Sequence, residues 1–254
     1  AGATGVELAA ELHKSMRDLT SYNLDRIDFD MQVKIDLIEA APRILPALPE
    51  GLAVRTAQVL KGLGVNIRTG TRVTALRRDE VVLNSGEIIP AEMIVWAAGI
   101  KAPDFLRDLD GLETDSLIRL VVRPTMQTTR NDNVFAIGDC AHCVLPGMKE
   151  PLPARAQTAR EQADYMVKLL KARLRGAPLP VFKYRDFGSL VSLANYRTFG
   201  VLMNGLKLEG LFARLAYLSL HKRHLQALYG SFKVALDTIG NAFTRHTEPR
   251  IKLH

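Results

Sequence analysis

Cysteine occurs twice in 254 residues, at 140 and 143. Two neighbouring thiols make no disulfide framework, and a reducing compartment is the expectation. A structural zinc site needs four ligands, and Cys140, Cys143 and the nearby His142 have no second cysteine pair to join, so no metal site is expected. A CxxC redox pair would open a helix within its own surrounding fold, and that reading is set aside. Long apolar runs are missing as well. Residues 93–98 extend about as far as any, well short of the ~18 residues that cross a membrane. The chain has no initiator Met and begins abruptly at AGATGVELAAEL, so no signal peptide can be read. With no zinc-finger, RNA-recognition or basic-zipper pattern, nucleic acid is not an expected partner.

What is present reads as globular: 47% of residues are hydrophobic and 24% charged, enough chain for one large or two ordinary domains. The formal charge is +7. Its excess collects at the end, where residues 207–254 hold eight Lys or Arg against three acids. A basic tail serves nucleic acid, anionic lipid or nothing.

Residues 133–142, NVFAIGDCAH, organise the rest. The run 134–137 suits a strand buried on both faces, and Gly138-Asp139 breaks it where such a strand meets a loop. A carboxylate at Asp139 would stand in the crevice where open α/β sheets bind ligands, able to accept hydrogen bonds from hydroxyls. The opening AGATG reads as a GxGxxG pattern with its front missing, and the chain is expected to be a fragment. Gly2 would let backbone amides approach a pyrophosphate, and Gly5 would let helix and strand pack closely. Residues 33–38, VKIDLI, read as a strand ending at Glu39, where an acid would bind an adenosine ribose and repel a 2'-phosphate, favouring NADH over NADPH. The plain alternative is a solvated strand end. The 34 residues from Gly5 to Glu39 call for a helical insertion near residues 14–31. Glu7 falls in the first turn of the opening helix, where a carboxylate complements the helix dipole.

Residues 64–73 and 80–89 give short strands after a helix closing at 60–64, the makings of a small meander. Residues 94–99 read as a further buried strand ending in the small Ala98 and Gly99, which would let a cofactor lie against the backbone. At 153–165 a helix opens after PLPARAQ, with the Ala156 and Gln157 amides as unsatisfied first-turn donors. Such donors suit the pyrimidine carbonyl of an isoalloxazine; an amphipathic helix covering a sheet is the alternative. Residues 186–203 suggest two short strands and a turn, followed by two helical stretches. In the second of these, Leu225, Leu228, Tyr229, Phe232, Ala235, Leu236, Ile239 and Phe243 share one arc at 100° per residue. Lys222, Arg223 and His224 lie between the two apolar faces, which favours a membrane-surface helix over packing on the protein or a sister subunit.

Taken together, GDCA, the Ala156-Gln157 helix start and the tail resemble the type II NADH:quinone oxidoreductases, within the two-dinucleotide-binding-domain flavoproteins. The tail is most similar to the enterobacterial type. The resemblance implies an α/β fold with a Rossmann-like NADH domain (1–98), the second part of an FAD-binding domain (99–185) and a C-terminal amphipathic helical membrane-association region (186–254). It implies FAD, held through Asp139 at its ribityl chain, hydride transfer from NADH, and delivery of electrons to a membrane quinone without proton pumping. By the same resemblance Glu7 lies near nicotinamide and flavin, and Gln157 borders the flavin and quinone pocket. Glu161 stands where the AQxAxQ pattern has its second Gln, with Gln162 one place later. The place implied is the cytoplasmic face of the bacterial inner membrane, peripherally bound through residues 207–254, with a homodimer as a further candidate assembly. The alternatives are a soluble FAD-dependent NAD(P)H reductase of the same superfamily and a non-catalytic, membrane-associating fragment.

Overall fold

The computed structural model describes residues 1–20, 28–194, 196–202 and 206–244. They form two compact units, one of Ala1–Ala98 with Phe187–His254 and the other of Gly99–Asp186.

The first unit opens on helix α1 (Ala3–Thr20), whose buried Val6, Ala9, Ala10 and His13 recur every three or four residues along one stripe. That stripe packs with strand β1 (Asp36–Ile38), where Leu37 is buried. After a single turn, α2 (Phe29–Gln32), and then β1, the longer helix α3 (Glu50–Gly62) crosses to β2 (Asn66–Arg68). β1 and β2 pair in parallel with Leu37 opposite Ile67, giving a βαβ unit. The strand expected over 33–38 is thus limited to its second half. The insertion expected near 14–31 takes the form of a longer α1 and the α2 turn; residues 21–27 lie outside the described residues. An antiparallel meander follows, β3 (Val73–Arg77), β4 (Glu80–Leu83) and β5 (Ile88–Pro90), with Val81, Leu83 and Ile89 as its own small core.

Residues 94–99 are not the buried strand their composition suggests. They join no ladder among the described residues, and Trp96 is 60% exposed. An apolar run becomes a strand only when a neighbouring strand takes up its backbone hydrogen bonds.

In the second unit β6 (Leu120–Val122) pairs in parallel with β7 (Ala141–Cys143), Leu120 opposite Ala141 and Val122 opposite Cys143. These four side chains point into a core with Met126, Leu169 and Phe182, and helix α4 (Ala156–Leu174) supplies Tyr165 and Leu169. The strand lies after Gly138-Asp139, not before it as the apolar run suggests. Residues 134–137 are extended but form a single bridge, Phe135 with Gln127, as part of a hairpin with 126–128.

The other face of β7 carries His142, whose Nδ1 lies 2.9 Å from Asp115 Oδ2. Arg119 Nη2 reaches the same oxygen at 2.7 Å, while the backbone N–H groups of Leu117 and Arg119 donate to Oδ1. Burial would raise the Asp115 carboxyl, but these donors outweigh it and hold the pKa down at about 2.

The chain then returns to the first unit. β8 (Gly188–Leu193), β9 (Arg197–Leu202) and β10 (Lys207–Glu209) form an antiparallel sheet in the order β10-β9-β8. Val191, Leu193 and Phe199 join the core under α1, so this sheet, expected in a C-terminal region of its own, shares the first unit's interior. Two helices follow, α5 (Gly210–Tyr229) and α6 (Ser231–Thr244). The expected apolar arc therefore spans two helices, because Gly230 at φ +81° takes the backbone out of the right-handed helical region. Residues 222–224 lie inside α5, not between helices, and Lys222 pairs with Asp237 of α6 at 3.0 Å.

A carboxyl whose folded pKa is depressed adds stability above the ordinary Asp range and loses it as pH falls through the folded value. Asp115→Asn is therefore expected to lower the melting temperature at neutral pH. The gap from the parent chain should close as pH is taken from about 5 to about 2. A gap that stays constant across that range would show the Asp115 charge to be irrelevant to folding.

Candidate active site

In the second unit α4 begins without a side-chain cap; Arg155, its N-cap, is extended. The first intrahelical bond runs from Ala159 N–H to Arg155 C=O, so the amides of Ala156, Gln157 and Thr158 precede the helical ladder. Ala156 is exposed and Gln157 half-buried. Gln157 Nε2 donates to Glu161 Oε1 at 3.0 Å and to the Arg185 carbonyl at 2.7 Å. Glu161 Oε2 accepts the Arg185 N–H at 3.4 Å.

Gly138 opens a one-turn 3₁₀ helix at φ +69°, a left-handed conformation that glycine takes without strain. A Cβ there would lie 3.5 Å from the Ala159 side chain, in the first turn of α4. The Gly138 N–H donates to Gln162 Oε1 at 2.6 Å, and Gln162 is only 1% exposed. Asp139, next in the chain, is exposed and its carboxylate has no partner among the described residues. Gln162 is the residue that the sequence reading passes over in favour of Glu161. Its signal is the buried stripe of α4, Thr158, Gln162, Tyr165 and Leu169, in which a polar residue falls at a core position.

Of the two thiols, Cys140 donates to the Ile137 carbonyl at 3.2 Å. Cys143 is wholly buried, and burial pushes its thiol up to about 11. No group of His, Cys, Asp and Glu side chains among the described residues could hold a metal ion.

In the first unit Gly2 precedes α1 with open space where a Cβ would stand, and a Cβ on Gly5 would touch Leu37 at 3.7 Å, an ordinary contact. Glu39 follows β1 directly, beside the start of α1, and its Oε1 accepts the Ala41 N–H at 2.9 Å. Glu7 Oε1 accepts the Ser192 N–H of β8 at 2.8 Å. Burial raises the Glu7 pKa, the Ser192 bond opposes this, and Glu11 adds to it. Ala98 is exposed and closes the first unit; Gly99, at φ +79° with open space around its Cα, begins the second. Two cavities of the first unit, one along His13, Phe29 and Leu63 and one between Trp96 and β3, include none of these site residues.

Gln162→Leu keeps the size of the side chain and leaves the Gly138 N–H without its acceptor. Stranding a buried donor costs about 1 to 3 kcal/mol. Urea titration followed by fluorescence should show a loss of that size; an unchanged midpoint would mean the bond contributes nothing.

A family model described as pyridine nucleotide-disulphide oxidoreductase matches residues 1–163. Type II NADH:quinone oxidoreductase from Haemophilus influenzae is 41% identical over 258 residues, covering 100% of this chain and 58% of the relative. The protein of that name from Staphylococcus aureus (strain MSSA476) is 32% identical over 209 residues, 80% of this chain and 50% of the relative. The chain thus spans about half the length of these curated relatives. NDH2 from Plasmodium falciparum, solved in complex with NADH, matches with a TM-score of 0.78 at 17% identity, over 99% of this chain and 66% of that one. That likeness is one of fold. With its first 163 residues matched by the family model and its whole length aligned to a relative at 41% identity, the chain belongs to the pyridine nucleotide-disulphide oxidoreductases.

Proposed function

We propose that the whole protein is a FAD-dependent NADH:quinone oxidoreductase of type II, which passes electrons from NADH to a membrane quinone without pumping protons. One observation carries this reading: an uncapped helix start at Ala156 and Gln157, tied through Gln162 to a turn that leaves Asp139 unpaired. The named function of the 41% identical relative supports it.

The residues fit the cofactors that the family implies. Asp139 offers acceptors to ribityl hydroxyls, and Gly138 supplies the left-handed turn beside it that a side chain would strain. The amides of Ala156 and Gln157 would meet the pyrimidine carbonyl edge, where the positive end of α4 favours negative charge. In the first unit Gly2 and the start of α1 would receive a pyrophosphate, with Gly5 at the helix–strand contact. Glu39 accepts the Ala41 N–H on one oxygen, leaving lone pairs for ribose hydroxyls and a charge that repels a 2'-phosphate. Glu7, whose pKa burial raises, would lie beside nicotinamide and flavin, and the small Ala98 and Gly99 would leave room for the cofactor. With FAD bound, the chemistry supplied is acceptance of a hydride from NADH and return of two electrons to the quinone. The protein's part is to bind and orient two planar partners, with Gln157 and Glu161 at the quinone side.

The test is turnover of the whole protein with NADH and a quinone, and with NADPH for comparison. Glu39→Ala removes hydrogen bonds to a charged group, a change of about tenfold or more in the KM for NADH, and should narrow the preference over NADPH. Unchanged discrimination removes Glu39 from the site; absence of quinone-dependent NADH oxidation overturns the function.

The proposed location is peripheral, on the cytoplasmic face of the bacterial inner membrane. No helix among the described residues is long and apolar enough to cross a membrane. Instead α5 and α6 turn apolar side chains outward: Leu211, Phe212 and Leu215, then Leu228 at 76% and Phe232 at 79% exposure, then Leu236 and Ile239. The Phe243 side chain and residues 245–254, with three of the basic residues, lie outside the described ones. Lys222 is paired with Asp237, and apolar burial at roughly 25 cal/mol per Å² adds an attraction that salt does not screen. Deleting residues 207–254 should release the whole protein from anionic liposomes, whereas high salt should release only part of it. If the truncated protein co-sediments as before, this face serves another partner, a second copy being the first to test by sedimentation.

A further inference from the structure

A carboxamide has two unlike ends, a nitrogen with two protons to donate and an oxygen that only accepts. Both protons of Gln157 are committed, one to the Arg185 carbonyl and one to Glu161 Oε1. The Arg185 N–H is held in turn by Glu161 Oε2, so Gln157 and Glu161, one turn apart on α4, grip that residue by its N–H and its C=O. Turning the Gln157 amide end for end would set its oxygen against a carbonyl and a carboxylate, acceptor against acceptor. A glutamine at 161 could turn its own NH₂ group toward a reversed amide and leave only the Arg185 carbonyl against it; a carboxylate cannot.

We propose that Glu161 is a positioning residue that locks the Gln157 carboxamide so that Oε1, which has no partner among the described residues, is the end offered to a ligand. This rests on the reading of the α4 start as the flavin and quinone pocket. The first turn of α4 then presents free backbone N–H groups beside a fixed acceptor, a pattern that recognises a planar ring carrying a carbonyl next to an N–H or O–H. Two ligands of the reaction have that chemistry: the imide edge of the isoalloxazine and the hydroxyl of the quinol product. The quinone itself has only carbonyl acceptors and gains nothing from Oε1.

The experiment compares the whole protein with its Glu161→Gln variant, nearly identical in size and expected to melt at the same temperature. FAD and its N3-methyl analogue are titrated into apoprotein by flavin fluorescence, and the quinol inhibition constant is measured beside the KM for quinone. Removing one of the two acceptors that fix the Gln157 amide should weaken the donor ligand about three- to tenfold, the loss of one neutral hydrogen bond, without raising the quinone KM. A loss for FAD that the N3-methyl analogue does not share identifies the imide as the donor. A raised quinol inhibition constant with FAD binding intact identifies the quinol. No change in either constant overturns the proposal. So does an equal loss for FAD and its analogue, or a quinone KM that rises with the quinol constant, because general loosening of the helix would do that. The FAD titration needs no turnover, so a whole protein that fails to reduce quinones counts against the proposed function and leaves this arm readable.

Discussion

The bond from the Gly138 N–H to the buried amide of Gln162 is the constraint on which the second unit's arrangement depends. Residues 134–137 are extended and weakly paired, and β7 begins only at Ala141. Between them the chain turns through a left-handed glycine whose N–H is taken by no backbone acceptor. A side chain from α4 meets that donor and so sets the distance between the helix start and the turn. Because Gln162 lies on the buried face and the half-buried Gln157 on another side of the same helix, one element both supports the turn and carries the polar groups of the candidate site.

In the first unit a carboxylate does comparable work. Glu7 lies beyond the first turn of α1, not within it as the sequence suggests, and reaches the backbone of β8, 185 residues further along the chain. Together with the shared core of Val6, Ala9, Val191 and Phe199, this bond makes the late antiparallel sheet part of the same unit as the βαβ segment. A residue expected for its place near a cofactor is also a structural tie, and its raised pKa follows from that burial.

Much of this was legible in the sequence because it is local. The glycine-led start of α1, the acid at the end of β1, the meander and the hairpin of β8 and β9 each carry their signal within a few residues. What the sequence hid is pairing over distance. An apolar run at 134–137 and another at 94–99 look like buried strands whatever lies beside them, but the ladder partner decides, and β6 finds its parallel neighbour only at Ala141. Likewise the arc from Leu225 to Ile239 keeps its period straight through Gly230, since periodicity in side chains carries no information about the sign of φ there. Gln162 escaped because a polar residue in a helix is read as solvent-facing until its acceptor role toward Gly138 is seen.

The unequal setting of the two thiols bears on chemical labelling. Cys143 is sealed in the core with its thiol held far into the alkaline range, and a thiol in that state reacts slowly with alkylating reagents. Cys140 is only partly covered and sits one residue beyond Asp139. Within this chain a maleimide dye would therefore attach at a single address, in the turn between residues 134–137 and β7, and its colour or lifetime would report on whatever comes to occupy that turn.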